Sequence, residues 1–448
     1  MPNSLEELSQ SLLDAARRAG AEAADVIVAR GTSVSVDVRS GSLEHAERSE
    51  GTDVGLRVLQ GRRQAIVSSS DTRPETLTAM AERAVVMAAE APEDPFVGLA
   101  EPDSLARTWD IAALDLIDPE SEPASDHLTE QALQAEAQAL AVKGVSQVQV
   151  ASASCSRSDV HLAASNGFSG GYGRSGRSVS CVAIAGTGLE MERDYDGDSR
   201  AHRSDLRSAA GIGHTAGERA VERLGARKPA TGTYPVLFDE RIAASLIGHL
   251  LGAINGAAIA RGASWLQDAI GQTVLPDDLS LIEDPHRPRV PGSRPFDAEG
   301  LPTERRHIVE NGILTGWTLD LGSARKLGMS STGSAVRGPS SPPSPGASNV
   351  ALSEGSASRA DLLQDMGTGL LVTSMIGSTI NPTTGDYSRG ASGFWVENGM
   401  PVYPVNECTI AGNLRDMLRR IVPANDARHH LSRVVPSLLV EGMTVAGS

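Results

Sequence analysis

A single histidine sits where hydrolytic chemistry would be looked for first. Residues 242–260, IAASLIGHLLGAINGAAIA, carry no formal charge and contain His249. An imidazole there could ligate a metal, but metal-assisted hydrolysis needs several ligands and a carboxylate acting on the bound water. Leu250 stands where a metallopeptidase helix has its glutamate, and the ten histidines, at 45, 127, 161, 202, 214, 249, 286, 307, 429 and 430, nowhere form HExxH or HExxxH. Taken alone, His249 reads as a buried or interface histidine. As a ligand it would need a distant residue such as Cys408 brought to it by the fold. His429 and His430 are adjacent, so on a helix they would diverge by about 100° and read as surface.

Other chemistry-bearing patterns resolve into turns. No GxSxG is present, and Gly390-Ala391-Ser392-Gly393 lacks its spacing. The glycine-rich stretch 165–176 has no GK[ST] and no following helix, so it reads as a hairpin and not a phosphate loop. Asp386, Tyr387, Ser388 and Arg389 gather a carboxylate, a phenol, a hydroxyl and a guanidinium beside a hairpin. A turn held by its own side chains and a loop that binds a peptide or partner explain this run equally well.

The elements that must position these groups follow from periodicity. In 242–260 the small residues Ala244, Gly248, Gly252, Gly256 and Ala260 recur every four positions, which on one continuous helix places them on one face open to close packing. Upstream, residues 4–19 have helical spacing. Strand-like runs follow at 25–30, 33–41, 52–59 and 64–69, and Pro74 opens a second helix. After a Pro- and acid-rich connector the order returns: a helix over 127–144, strands at 146–153, 159–164 and 178–190, and a helix over about 205–224. From Tyr234 a strand and the apolar helix give way to short strands and turns. Asn311-Gly312 and Asn398-Gly399 each sit between alternating apolar residues, a strong hairpin signal. The Pro/Ser stretch 336–348 reads as a long, functional or mobile connection. The fold class is therefore α+β: helix-flanked antiparallel sheet units at residues 1–92 and 127–228, joined by a connector at 93–126. A strand-rich domain at 229–448 follows, carrying one buried Gly/Ala-rich helix.

Composition narrows the function. A formal charge of −16 without a basic patch argues against nucleic-acid and anionic-membrane partners. The start, MPNSLEELSQ, lacks the features of a signal peptide, and the apolar helix is too rich in Gly and Ala to favour lipid, so a cytoplasmic protein is expected. Cys155, Cys181 and Cys408 are odd in number and form no CxxC, which fits reduced thiols whose roles the sequence does not reveal.

Three stretches resemble the TldD/PmbA family, on its PmbA/TldE-type side: 385–414 (GDYSRGASGFWVENGMPVYPVNECTIAGNL), 436–447 (PSLLVEGMTVAG) and 238–266 around His249. The resemblance extends over essentially the whole chain. It implies a two-subunit cytoplasmic zinc metalloprotease acting on small unfolded peptides. Its TldD-type subunit bears HExxxH and a C-terminal cysteine as zinc ligands. Laid on this sequence, that motif falls on His249, Leu250 and Ile254, and the final MTVAG has no cysteine. The resemblance thus implies a non-catalytic subunit, with no metal of its own and with zinc in a TldD-type partner. Two other readings are an autonomous metal-dependent peptidase using His249 and Cys408, and a non-enzymatic homodimeric peptide-binding module.

Overall fold

The computed structural model describes residues 4–447. Helix α1 (Leu5–Arg18) starts at a reciprocal cap: the Ser4 hydroxyl accepts the Glu7 amide at 3.1 Å, and the Glu7 carboxylate accepts the Ser4 amide at 2.8 Å. Strands β1 (Ala23–Arg39) and β2 (Ser42–Gln60) are joined by Ser40-Gly41, both at positive φ, and β3 (Arg63–Ser69) follows. The runs 25–30 and 33–41 belong to this single strand β1, because Gly31 and Thr32 stay paired on both sides. Helix α2 (Pro74–Glu90) has proline in its first turn, where the missing N–H costs nothing. The connector contains a 3₁₀ turn at Pro102–Ser104 and the one-turn helix α3 (Ile111–Leu114).

The same order then repeats with α4 (Ser125–Leu140), β4 (Val145–Ala164), β5 (Ser169–Ala185), β6 (Glu192–Arg200) and α5 (Ala209–Glu222). The glycine-rich stretch forms the turn and first part of the β4–β5 hairpin. Because β1 pairs with β4, the two units share one six-stranded antiparallel sheet, ordered β3-β2-β1-β4-β5-β6. Strand pleat decides what each face meets. Val26 and Val28 pack in the α1/α2 core and Val34 and Val36 in the α4/α5 core, so all four helices cover the even-numbered face of β1. Ile27 points the other way, against Leu162, Phe168 and Phe296, toward the C-terminal half.

That half begins with β7 (Gly232–Phe238), which feeds directly into α6 (Glu240–Ala253) and α7 (Gly256–Ala260). Next come β8 (Leu281–Glu283), β9 (Arg306–Glu310), β10 (Ile313–Leu314), α8 (Leu321–Leu327), β11 (Ala335–Val336), β12 (Ser344–Pro345), β13 (Val350–Leu352) and α9 (Arg359–Met366). The chain ends with β14 (Gly369–Ile380), β15 (Asp386–Glu397), β16 (Met400–Asn413), α10 (Leu414–Leu418), β17 (Ile421–Pro423), β18 (Arg433–Val434) and β19 (Leu438–Ala446). Strands β16-β15-β14-β7-β19 form a sheet that closes on itself where β16 pairs with β19, giving a five-stranded barrel. A smaller sheet, β10-β9-β8-β13-β18, lies beside it. Asn311-Gly312 and Asn398-Gly399 both have positive φ at both residues and turn β9 into β10 and β15 into β16, as the sequence predicts.

Helix α6 presents Ala243, Leu246, Ile247, Leu250 and Ala253 to a core shared with Phe238, Leu370, Val372, Ile410 and Val440. Full burial of each large side chain contributes about 1.5–3 kcal/mol. The expected single helix over 242–260 is, however, two helices. Asn255 interrupts it, accepting the Ala257 and Ala258 amides at 3.0 and 3.4 Å and so capping α7. The break is held from outside: the Gly256 amide donates to the Thr318 carbonyl at 2.9 Å, and the Thr318 amide donates to that of Ile254 at 3.0 Å.

Candidate functional site

His249 projects from α6 toward β15. Its ring centroid lies 5.9 Å from that of Tyr387 at an interplanar angle of 71°. Its Nε2 is buried without a hydrogen-bond partner. Burial first, and then the nearby Arg389 charge, hold the imidazole below its ordinary pKa, so it is neutral near pH 7. Tyr387 is buried and its hydroxyl meets the Met375 sulfur at 3.2 Å; burial pushes the phenol up to about 12, against the pull of Arg389. The Arg389 Nε is also buried and unpartnered.

The run 386–389 is neither a turn nor a loop. It begins strand β15, and the pleat divides its side chains between two faces. Tyr387 and Arg389 share the face that meets His249. Asp386 and Ser388 lie on the other, where Asp386 is exposed and accepts bonds from Thr384 at 2.6 Å and Asn413 at 3.1 Å. The grouping read from the sequence therefore separates into two pairs.

Leu250 and Ile254 are fully buried in the barrel core. Cys408, opposite Ala391 in the β15–β16 ladder, is also buried; its thiol donates to the Ala391 carbonyl at 3.1 Å, and burial pushes it up to about 11. Among the described residues, no three His, Cys, Asp or Glu side chains converge in a way that could hold a metal ion. The α6 donor set does not fit zinc: His249 has aliphatic neighbours at both other motif positions. What the site does offer is an imidazole nitrogen and a guanidinium nitrogen with unused hydrogen-bonding capacity.

The small residues also separate. A Cβ at Gly256 would lie 2.5 Å from Leu319 and 2.9 Å from the Thr318 carbonyl oxygen, a tight internal contact. Gly252 is exposed, with nothing within 4 Å of an added Cβ, and at Gly248 the nearest atom is an Arg433 nitrogen at 3.1 Å. Ala244 is half-buried against the core, and Ala260 lines a cavity described next.

The larger cavities lie at the seam between the N-terminal sheet and the C-terminal half. One of about 340 Å³ is walled by Arg57, Phe96, Ala260, Glu299, Asp320 and Lys326. Beside it Asp25 accepts Arg57 Nε at 2.8 Å and also pairs with Arg337, all three side chains being buried. Burial would raise the Asp25 carboxyl, but Arg337 and Arg57 hold it below the usual carboxylate range. Glu299 goes the other way, pushed up to about 8 by burial and by neighbouring Asp297. The Pro/Ser stretch carrying Arg337 is pinned here rather than loose: Pro339 sits so close on β2 that a Cβ at Gly55 would lie 2.0 Å from its oxygen. Sequence reading missed this cluster. Its signal was a charge inside each of two apolar strand runs, Asp25 in ADVIVA and Arg57 in VGLRVL.

Three family descriptions match consecutive parts of the chain: PmbA/TldA metallopeptidase domain 1 at residues 24–88, the central domain at 118–224 and the C-terminal domain at 231–447. Metalloprotease PmbA of Escherichia coli O157:H7 is 38% identical over 445 residues, covering 99% of this chain and 96% of that protein. A PmbA homolog of Haemophilus influenzae is 36% identical, covering 99% and 97%. Among solved structures, a Bacteroides thetaiotaomicron protein named as a candidate modulator of DNA gyrase superposes with a TM-score of 0.91 at 27% identity, covering 98% of both chains. TldE from Thermococcus kodakarensis gives 0.84 at 20% identity over 98% of this chain and all of that one, a likeness of fold.

Proposed function

The chain belongs to the PmbA/TldD metallopeptidase family, and we propose that within it this protein is the non-catalytic, TldE/PmbA-type subunit of a two-subunit zinc protease for small unfolded peptides. The observation that carries this reading is the donor set of α6. Leucine at 250 cannot act as a general base and isoleucine at 254 cannot bind a metal, and both are buried in the barrel core. Zinc and the water-activating carboxylate belong to a TldD-type HExxxH partner. This chain contributes binding surface and enclosure.

An extended peptide would add to an open sheet edge, where backbone bonds hold any sequence. Among the described residues the barrel leaves the three-residue β17 as an edge and the smaller sheet ends in the two-residue β10 and β18, so β3 and β6, the longer outer strands of the six-stranded sheet, are the places for it. Arg389, with its unfilled Nε facing His249, is the residue of the 386–389 run best placed to touch peptide or partner. Asp386 and Ser388 would serve a contact on the opposite face, and Tyr387 orients the His249 ring. The division into units at 1–92, 127–228 and 229–448 is part of the same proposal. Among the described residues no helix is long and apolar enough to cross a membrane, and a cytoplasmic location accords with the proposed substrates.

Co-purification followed by a cleavage assay tests the reading. The chain alone should leave an unstructured peptide intact, and a mixture with a TldD-type subunit should cut it and be stopped by a zinc chelator. Cleavage by the isolated, metal-free chain, or failure to bind any HExxxH partner while forming a stable homodimer, would overturn it.

A further inference from the structure

A second seam cavity, of about 310 Å³, lies against the face of the N-terminal sheet that carries Ile27 and Leu162. Its walls are largely apolar: Ile27, Leu162, Tyr172 and Phe296 line it. Phe, Tyr and Trp make up only 3% of the chain, yet Trp109, Phe168 and Tyr172 all meet Phe296 edge-on, with centroids 4.9, 5.0 and 5.6 Å away. A concentration of scarce aromatic rings around one cavity builds a rigid apolar wall.

Arg174, Arg294 and Arg337 all stand in this wall, Arg174 half-buried and the other two with nearly or fully buried side chains. Their charges are poorly matched. Arg294 donates to the Ala335 and Gly346 carbonyls at 3.0 and 2.9 Å and leaves Nε unpartnered. Arg174 donates to the Pro291 carbonyl at 2.7 Å and the Tyr172 hydroxyl at 3.2 Å, and lies over the Tyr172 ring. Among the described residues neither makes an ion pair. Arg337, with a fully buried side chain, gives Nη1 to Asp25, which Arg57 already neutralises, and leaves both Nε and Nη2 unpartnered.

Among the described residues one acid lines the cavity, Asp297. Its oxygens are occupied by the Glu299, Leu301 and Ala335 amides at 2.9, 2.9 and 3.0 Å, and burial pushes its carboxyl up, which the Arg294 charge opposes without outweighing. Buried cations without matching anions are costly, and guanidinium groups recover most when they meet a carboxylate.

We infer that this cavity is a binding site for an apolar carboxylate: an aromatic or aliphatic group held among Ile27, Leu162 and Phe296, with its carboxylate paired to Arg174 in the field of the buried Arg294 and Arg337 cations. Such a ligand is either the C-terminal residue of a short peptide or a free arylalkanoic acid. The inference goes beyond the subunit reading, because the site lies wholly within this chain and needs no partner.

Calorimetric titration of the full chain with acetyl-phenylalanine, acetyl-Gly-Gly-phenylalanine and the C-terminal amide of each tests it. Both acids should bind at least about tenfold more tightly than their amides. A tighter tripeptide points to a peptide terminus, and equal binding of the two acids to a free acid. Arg174→Gln, at a half-buried position, should weaken the acids by about tenfold and leave the amides unchanged. Ala347→Leu, which fills the cavity from its wall, should abolish binding while the melting temperature confirms a folded chain. Equal affinity for acid and amide, no binding of either acid at about 10 mM, or unchanged affinity in Arg174→Gln would overturn the site, whatever the outcome with a TldD-type partner.

Discussion

The helix that carries His249 and the seam that carries Asp25 are both buried, and they treat charge in opposite ways. Buried charge on α6 is confined to its start, where Arg241 pairs with Asp239 and Asp194; farther along, His249 and Arg389 reach the interior, the histidine neutral, and the two positions that would complete a hydrolytic motif are aliphatic. At the seam Asp25, Arg57, Arg337, Asp297 and Glu299 crowd between the sheet and the C-terminal half. The His249 stretch of α6 carries little charge, while the seam accepts the cost of burying charge. A scaffold that only needed stability would do better with apolar residues in both places, so the seam is where this chain's own chemistry is to be sought.

The sharpest way to break that contrast is to remove one partner of the seam triad. Arg337→Met leaves Asp25 with a single counter-ion in a dry site, and loss of one member of a buried pair typically costs about 3–5 kcal/mol. Urea unfolding should show a loss of that size. A loss no larger than that of a surface substitution would mean that water reaches the triad and the contrast is overstated.

Next in size is a pH effect with a defined sign. Glu299 is pushed up to about 8 from its ordinary value of 4.5 when folded, so between those values the folded chain holds a proton that the unfolded chain has released. The stabilisation is complete below the unfolded value and lost as pH rises through the folded one, with a slope of about 1.4 kcal/mol per pH unit inside the window. Glu299→Gln should remove that slope. Chemical denaturation of both proteins from pH 5 to 8 measures it, and parallel profiles would place the Glu299 carboxyl in ordinary solvent.

These two experiments address what the sequence did not disclose. Local patterns were legible: the Ser4-Glu7 cap, proline opening α2 and the two Asn-Gly turns all depend on neighbours a few residues apart. That residues 249, 250 and 254 do not spell HExxxH was equally plain, because it is a matter of residue type alone. Illegible were the contacts between distant segments. Arg337 meets Asp25 across 312 positions of the chain, and β19 closes the barrel on β16 through three residue pairs. Even the helix break at Asn255 is fixed partly from outside, by Thr318. The four-residue spacing of small side chains was real, but a period implies a face only while the helix continues.

On the α6 side the effects should be smaller and of opposite sign. His249→Leu removes an unpartnered buried nitrogen, and relief of that desolvation should raise stability by about 1 kcal/mol at pH 7. The gain should widen as pH falls below the ordinary histidine value, since burial disfavours the charged imidazole that the unfolded chain accepts freely. The same variant, mixed with a TldD-type subunit, should bind as much zinc as the parent. A fall in zinc content would restore His249 as a ligand and erase the distinction between the two regions.

The smallest change separates a packing role for the glycines from a binding role. From the sequence, Gly252→Leu should overpack a tight contact at a cost of about 1–3 kcal/mol. The structure reverses that sign: Gly252 lies inside α6, exposed, with nothing within 4 Å of an added Cβ, so replacing a helical glycine there should stabilise the isolated chain by about 0.5–1 kcal/mol. Gly256→Leu, which must displace Leu319 and crowd the Thr318 carbonyl, should carry the cost instead. If the open surface at Gly252 receives the partner, Gly252→Leu will melt at a slightly higher temperature yet bind a TldD-type subunit more weakly. Unchanged partner binding together with the higher melting temperature would leave it as bare surface, and the close-packing role would rest on Gly256 alone.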